Sequence, residues 1–392
     1  MATSTLRGIS VLDLSSYLAG PFGATLLGDM GADVIKVENP QGDMMRHYPS
    51  TLPGESRAYL GANRNKRSIV LDLKTPQGQA AFHRLAQEAD VVIHNFRPGV
   101  AERLDIHYER LAQLNPRLLY CALTGYGPTG PMASNPGFDQ VLQSFTGISH
   151  AQGAMEGAPR VVWGSVVDYY ASSLIAMSIC AALFEREKTG RGQAIDVSLL
   201  RTALAMQSGR MVWAEGEGRD VERDLKGGRI NGIHPTKVGH IYLQAPTQAF
   251  WEALCELTGL SHLVNDPRCD SMKKRKEHEE ELLPILRHAL MQRTALEWEA
   301  LFGQRVPCSA VRSIEDMFDH PQVLAQGLVA THQHPTLGAY RAMTGPVQMD
   351  HGRALSPDRR APTLGEHTEE VLRAHGFTSE DITALRQAHA LG

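Results

Sequence analysis

Asp168 is the only charged side chain between Arg160 and Glu185, set near the start of the apolar run SVVDYYASSLIAMSICAALFERE at residues 165–187. An ionised carboxylate withdrawn from water is costly unless something pairs with it. Two roles answer that cost. Ahead of YYASSLIAMSICAALFE, Asp168 is placed to cap a helix, its oxygen accepting backbone N–H groups and gaining from the helix dipole. It is equally placed to act as a nucleophile on a carbonyl, and the roles are compatible, because backbone donors at a helix start also hold developing negative charge.

Two basic stretches flank strands. NRNKRSIVLDLK (63–74) and HNFRPGVAERL (94–104) carry Lys66, Arg67, Lys74, Arg97 and Arg103. Cations beyond the carboxyl ends of parallel strands are where open α/β folds hold phosphates, while the same residues elsewhere are solvated charges. GYGPTG at 125–130 has the spacing of a dinucleotide fingerprint, but Pro128 and Pro131 stand where a helix should begin, so it reads as an ordinary loop. MKKRKEHEEE (272–281) reads as a solvated helix, and HQH (332–334), with Pro335 following and no third ligand near, as a surface loop; no metal is expected.

The elements that must position these residues follow from periodicity. GISVLDLS, DVIKVE, RSIVLDL, DVVIHNF and LLYCALTG are short β-branched runs separated by helical patterns, including one over 77–89 and one near 108–114. That alternation predicts βαβ units: an α/β fold with a parallel sheet flanked by helices. The character changes at WAEGEGRDVERDLKGGRINGIHP, a polar, glycine-rich linker, after which residues from about 230 to 325 read as a smaller α+β domain. The best membrane candidate, 169–184, falls short of a span and contains three serines. A net charge of −4, from 39 basic and 43 acidic residues, provides no general attraction for nucleic acid or an anionic membrane. Five cysteines without CxxC spacing, and no apolar leader after Arg7, give a cytoplasmic expectation.

The chain resembles the class III coenzyme A transferases, the CaiB/BaiF or formyl-CoA/carnitine CoA-transferase type. The likeness runs through VLDLSSYLAGPFGATLLGDMGADVIKVENPQGD (11–43), NRNKRSIVLDLKTPQG (63–78), NFRPGVAERL (95–104), LTGYGPTGP (123–131) and Asp168. It continues in FEREKTGRGQAIDVSLL (184–200), VPCSAV (306–311), DHPQVLAQGLV (319–329) and PTLGEHTEEVL (362–372).

The resemblance implies a large Rossmann-like domain whose N-terminal part is 1–200, a linker at 201–229, the small domain at 230–325 and a return segment, 326–392, completing the large domain. It implies two subunits interlocked as a homodimer, and a glycine-rich lid, with GGRINGIHP (227–235) as the counterpart here. It makes Asp168 the nucleophile. Leu18, Leu71, Leu73, Lys74, Asn95, Phe96 and Arg103 match positions lining the coenzyme A site, and Tyr59, Phe138 and Asp139 match positions around the reacting thioester.

The implied activity is transfer of coenzyme A from an acyl-CoA donor to a carboxylic acid through an aspartyl anhydride and an aspartyl-CoA thioester, with acyl-CoA and small acids as partners and no tightly bound cofactor. A dicarboxylate such as succinate would need a cation, for which Arg160, Arg229, His234 and Lys237 are candidates. The rival of another class is an α-methylacyl-CoA racemase, which looks for a histidine in a GHD motif; here PGFD (136–139) has Phe138 instead. A coenzyme A-binding protein without catalysis would use Asp168 only as a cap.

Overall fold

Six strands form one parallel sheet: β1 (Ser10–Asp13), β2 (Asp33–Glu38), β3 (Lys66–Val70), β4 (Val91–His94), β5 (Leu119–Thr124) and β6 (Ala194–Ser198), in the order β3-β2-β1-β4-β5-β6. The computed structural model describes residues 4–153, 157–219, 229–349 and 359–391. Leu12 of β1 sits opposite Ile35 of β2 and Val92 of β4. Both sheet faces are covered, which is why the strands read as near-continuous apolar runs. Successive residues point to opposite faces. Leu12, Ile35, Ile69 and Val92 enter one core with Phe82 and Leu85, while Val11, Val34, Val91 and Ile93 enter the other with Ile175 and Ile179.

Helix starts follow local chemistry. Pro76–Glu88 begins on Thr75, whose hydroxyl accepts from the Gly78 N–H at 3.0 Å, with proline in the first turn. The long apolar segment is a single helix, Val166–Thr189, of 24 residues, longer than the membrane candidate at 169–184. Among the described residues it is the one helix long and apolar enough to cross a membrane, yet Val167, Ala171, Ile175 and Ile179 are core residues under the sheet. It crosses helix Ala19–Asp29 closely because Gly23 has no side chain: a Cβ there would lie 2.9 Å from Ile175. Ser172 secures the crossing by donating to the Ala19 carbonyl at 2.8 Å.

The chain divides into two units, one of Met1–Val212 with Ala325–Gly392 and one of Trp213–Leu324. In the first, helix Leu199–Ala205 continues past the expected linker start, and residues 220–228 of that linker lie outside the described residues. The return segment closes on β3: the Asn65 N–H donates to the Arg359 carbonyl, His367 to Ser68 and Asp72 to Ala390. The second unit is α+β. It has an antiparallel sheet of β7 (Gly232–Pro235), β8 (His240–Leu243) and β9 (Cys308–Ala310) under helices Gln248–Thr258, Glu279–Leu290 and Ala295–Phe302.

Two expectations change here. Arg275, inside the basic run at 272–281, is buried and donates to the Ala245 and Cys269 carbonyls, so that run is not a wholly solvated face. His332 and His334 lie on strand β10 (Val329–His334), paired with β11 (Gly338–Met343), and both are buried, not on a surface loop. Among the described residues no cluster of three metal-ligating side chains occurs.

Beneath the carboxyl ends of β1–β3 lies a buried ionic network. Lys66 Nζ lies 2.8 Å from Asp13, 2.8 Å from the Pro21 carbonyl and 2.7 Å from Asn63 Oδ1; Lys36 Nζ lies 2.8 Å from Asp43 and 2.9 Å from the Ser15 carbonyl. Burial lowers Lys66 to about 8 against the pull of Asp13. Lys66→Met leaves the Asp13 carboxylate with Lys36 at 3.8 Å as its remaining cation. Loss of one partner from a buried pair costs about 3–5 kcal/mol. A fall in the urea midpoint of matching size is expected, and an unchanged midpoint rules the network out as a source of stability.

Candidate active site at the carboxyl ends of the sheet

Strand order reverses between β1 and β4, and open α/β folds leave a crevice outside the strand ends at that point. Two adjoining cavities occupy it. The larger, about 500 Å³, is walled by segments following β1, β2, β3 and β4, and its lining includes Leu71, Leu73, Lys74, Phe96 and Arg103. The smaller, about 180 Å³, is lined by Leu18, Asn95, Phe96, Arg97, Phe138 and Asp168 among others. Phe96 belongs to both. Asn95 ties the loops together: its Oδ1 accepts from the Ser16 N–H at 2.9 Å and its Nδ2 donates to the Ser16 carbonyl at 2.7 Å.

Asp168 does not cap its helix. The N-cap is Ser165, with φ +57 and no side-chain bond, and Asp168 sits three residues on, in the first turn. The cap comes from elsewhere in the chain. Asp139 is buried, and its Oδ2 accepts from the N–H groups of Val167 at 2.7 Å and Asp168 at 3.0 Å. Its Oδ1 accepts from Gln143, which also bonds both backbone groups of Val162. Two of the helix-start donors expected to hold negative charge, the Val167 and Asp168 N–H groups, are therefore occupied by Asp139.

Getting Asp139 there depends on two glycines. A Cβ on Gly125 would lie 2.8 Å from the Gly137 Cα, and one on Gly137 would lie 2.6 Å from Gly125. The GYGPTG run is a loop, as expected, and its first glycine lets residues 125 and 137 touch, which delivers Phe138 and Asp139 beside helix Val166–Thr189.

The electrostatic consequence falls on Asp168. Among the described residues no hydrogen-bond donor to its carboxylate is found, and burial, with the Asp139 carboxylate behind it, pushes its pKa up to about 7. A partly desolvated, unpaired carboxylate facing a cavity is a more basic and more nucleophilic group than a solvated one, and strongly shifted groups in clefts mark functional sites. Near neutral pH it supplies both the neutral and ionised forms.

Other expected residues separate. Lys74 and Arg103 line the larger cavity, and Arg97 lines the smaller. Lys66 is consumed by Asp13, and Arg67 pairs with Asp33 at 2.6 Å and Glu370 at 3.0 Å, so neither serves as a phosphate cation. Tyr59 is fully buried under Arg46, whose guanidinium lies 3.7 Å over its ring, and lines neither cavity. Arg229 pairs with Glu279 and Glu280, and His234 is buried against the Ile230 carbonyl. Arg160 and Lys237 are not among the lining residues of either cavity. Of the lid run 227–235, residues 227 and 228 lie outside the described residues. Sequence reading missed Tyr17, Gln143 and the Gly125–Gly137 contact, because each matters through a partner distant in sequence.

A doubly wound α/β sheet with a ligand crevice at its switch point and a lone carboxylate on the crevice wall defines a class of ligand-transforming α/β proteins. Comparison narrows it. Residues 6–368 match CoA-transferase family III. A succinate–glutarate CoA-transferase of Agrobacterium fabrum is 36% identical over 385 residues, covering 94% of each chain. The succinyl-CoA:glutarate CoA-transferase of Mus musculus is 34% identical over 377 residues, 94% of this chain and 86% of that one. A CaiB/BaiF family protein from Brucella suis superposes with a TM-score of 0.84 at 29% identity, covering 96% of this chain and 100% of that one. The chain belongs to CoA-transferase family III, and it is a CoA-transferase acting on coenzyme A thioesters and carboxylic acids.

Proposed function

We propose that the enzyme moves coenzyme A between acids by covalent catalysis at Asp168, and that a dicarboxylic acid is one of its substrates. The observation that carries this reading is the unpaired Asp168 carboxylate, raised to about 7, on a cavity that adjoins the larger one at Phe96. The larger cavity takes the coenzyme. Lys74 and Arg103 face its phosphates, and Leu71, Leu73 and Phe96 give apolar surface to the adenine and pantetheine.

Asp168 attacks the thioester carbonyl, the C–S bond breaks, and a mixed anhydride and coenzyme A thiolate result. The thiolate then attacks the aspartyl carbonyl, releasing the donor acid and leaving an aspartyl-CoA thioester. The acceptor carboxylate reverses both steps. Each step exchanges one activated acyl bond for another, so no thioester energy is lost provided water is kept out. Phe138, Leu18 and Leu199 supply the apolar part of that cavity wall.

Several relatives are named for succinyl-CoA or glutarate, which supports a dicarboxylate. Arg97 is the cation on the Asp168 cavity, exposed, and placed to meet a distal carboxylate. Incubation with a panel of acyl-CoA donors and acids, followed by mass spectrometry of both products, tests the activity; release of free thiol with every acceptor would replace the transferase with a hydrolase. Arg97→Met is expected to raise KM for succinyl-CoA about tenfold or more, as loss of a charged hydrogen bond of about 1.5–3 kcal/mol implies, while sparing acetyl-CoA. An equal loss with both donors would assign Arg97 to the coenzyme.

A homodimer accords with the apolar surface left open on the first unit, where Trp163 is 89% and Phe184 67% exposed, with Met177, Met211 and Val212 also exposed. Light scattering that gave a monomer mass would remove that part of the reading. Five unpaired thiols fit a reducing, cytoplasmic compartment, which cell fractionation checks.

A further inference from the structure

Tyr17 has a backbone that its residue type disfavours. Its φ is +69, in the left-handed region where an aromatic residue is an outlier. Such strain persists only where surroundings over-determine it, and it clusters at functional sites. Here the surroundings are explicit. The Tyr17 N–H donates to Asp43 Oδ1 at 3.1 Å, and the preceding Ser16 donates to the same oxygen through its hydroxyl at 2.7 Å. Ser16 is also held at both backbone groups by Asn95. Asp43 is itself anchored by Lys36 at 2.8 Å. Three buried or half-buried polar side chains thus serve to hold one short turn.

What the turn delivers is a phenol to the Asp168 cavity. Tyr17 lines it together with Phe138 and Asp168, and its ring meets Phe138 edge-on, with centroids 5.5 Å apart at 82°. Among the described residues its hydroxyl has no hydrogen-bond partner.

The attack of Asp168 on a thioester needs a donor for the carbonyl oxygen. Electrons of the C=O bond move onto that oxygen as the aspartyl C–O bond forms, and they return as the C–S bond breaks and thiolate leaves. The ordinary source, the helix-start N–H groups of Val167 and Asp168, is already spent on Asp139. The Asn95 amide is spent on the Ser16 carbonyl. We propose that Tyr17 is a further catalytic residue, its phenol O–H donating to the acyl oxygen while Asp168 is acylated and keeping its own proton throughout. The strain of the turn then serves preorganisation: the donor is fixed before charge develops.

This rests on Asp168 as the nucleophile. Tyr17→Phe retains the ring and its contact with Phe138 and removes only the donor. A fall in kcat of about 100-fold is expected, the size seen on removing one preorganised donor, with KM for acyl-CoA changed less than about threefold and thermal stability unchanged. Tyr17→Leu, which also removes the ring, should lower kcat no less. Full kcat in Tyr17→Phe, or a rise in KM alone, overturns the proposal. So does a loss confined to Tyr17→Leu, since that marks a packing role. Hydroxylamine trapping separates the two layers: a wild-type enzyme that carries no label at Asp168 during turnover removes the nucleophile assignment and this inference together. A labelled wild type beside an unimpaired Tyr17→Phe removes only the role of Tyr17.

Discussion

Asp168→Asn is expected to abolish CoA exchange and to make the protein harder to unfold at pH 8. The first effect follows from the chemistry. An amide has no nucleophilic oxygen to form the anhydride, so exchange should fall at least about 1000-fold, as loss of a covalent nucleophile commonly does. The second follows from linkage. The folded-state pKa of Asp168 is raised from an ordinary 3.8 to about 7. Below pH 4 the group is neutral in both folded and unfolded chains and costs nothing. Between pH 4 and 7 the unfolded chain ionises while the folded one holds its proton, so stability is lost as pH rises, and the loss is complete above 7. Asparagine carries no such loss. Its advantage should be absent near pH 4 and reach on the order of 2 kcal/mol at pH 8, discounted for the group's partial exposure.

Activity runs the other way. Attack needs the ionised form, so kcat/KM for acyl-CoA should fall as pH drops through about 7. Chemical denaturation of both proteins at pH 4.5 and pH 8 measures the stability difference. Equal stabilities at pH 8 would show that Asp168 is not held at raised pKa, and an Asp168→Asn enzyme with wild-type exchange would remove it from the chemistry.

Asp139 should give the second large effect, for a different reason. Its carboxylate is the cap of helix Val166–Thr189, and Asp139 is not among the residues lining the smaller cavity, which Phe138 and Asp168 line. Asp139→Ala orphans the Val167 and Asp168 N–H groups and one N–H of the Gln143 amide in a buried place. Stability should drop by about 1–3 kcal/mol, and kcat should fall by at least tenfold as the first turn frays and Asp168 loses its position.

Asp139→Asn separates charge from shape. Its oxygen can still accept from the helix start, but its NH2 then faces the Gln143 Nε2, and two donors cannot bond. Gln143 cannot turn over without giving up Val162, whose N–H and carbonyl it holds at 2.7 and 2.9 Å. A modest loss of stability is expected. At the same time the like charge behind Asp168 disappears, so the acid limb of the kcat/KM profile should move below 7. An acid limb that stays in place in Asp139→Asn would mean that burial alone sets the pKa.

Much of this enzyme was legible before folding. Strand positions show in β-branched runs because a sheet covered on both faces demands apolar residues at successive positions, as in Val11 and Leu12 of β1 and Val91, Val92 and Ile93 of β4. The long helix shows because its apolar stretch is unbroken, and within it the single charge at Asp168 marks itself by its cost. Lys74, Arg103, Phe96 and Asn95 were legible from the family's motifs and gather at the crevice.

Tertiary structure decided which of two similar cations meets a ligand and which meets a carboxylate. Lys66 and Lys74 are eight residues apart in one basic stretch, yet β3 turns the first into the buried network with Asp13, and the loop after β3 carries the second to the cavity rim. It also decided that Asp168 is capped rather than capping, since the cap lies 29 residues earlier and arrives only because Gly125 and Gly137 touch. Tyr17 belongs to the same class, its backbone bent by Asp43 and Ser16 by Asn95. Periodicity and residue type are local properties and survive in a linear string. Charge pairing, desolvation and backbone strain depend on neighbours distant along the chain, and these exist only once the sheet has ordered its strands.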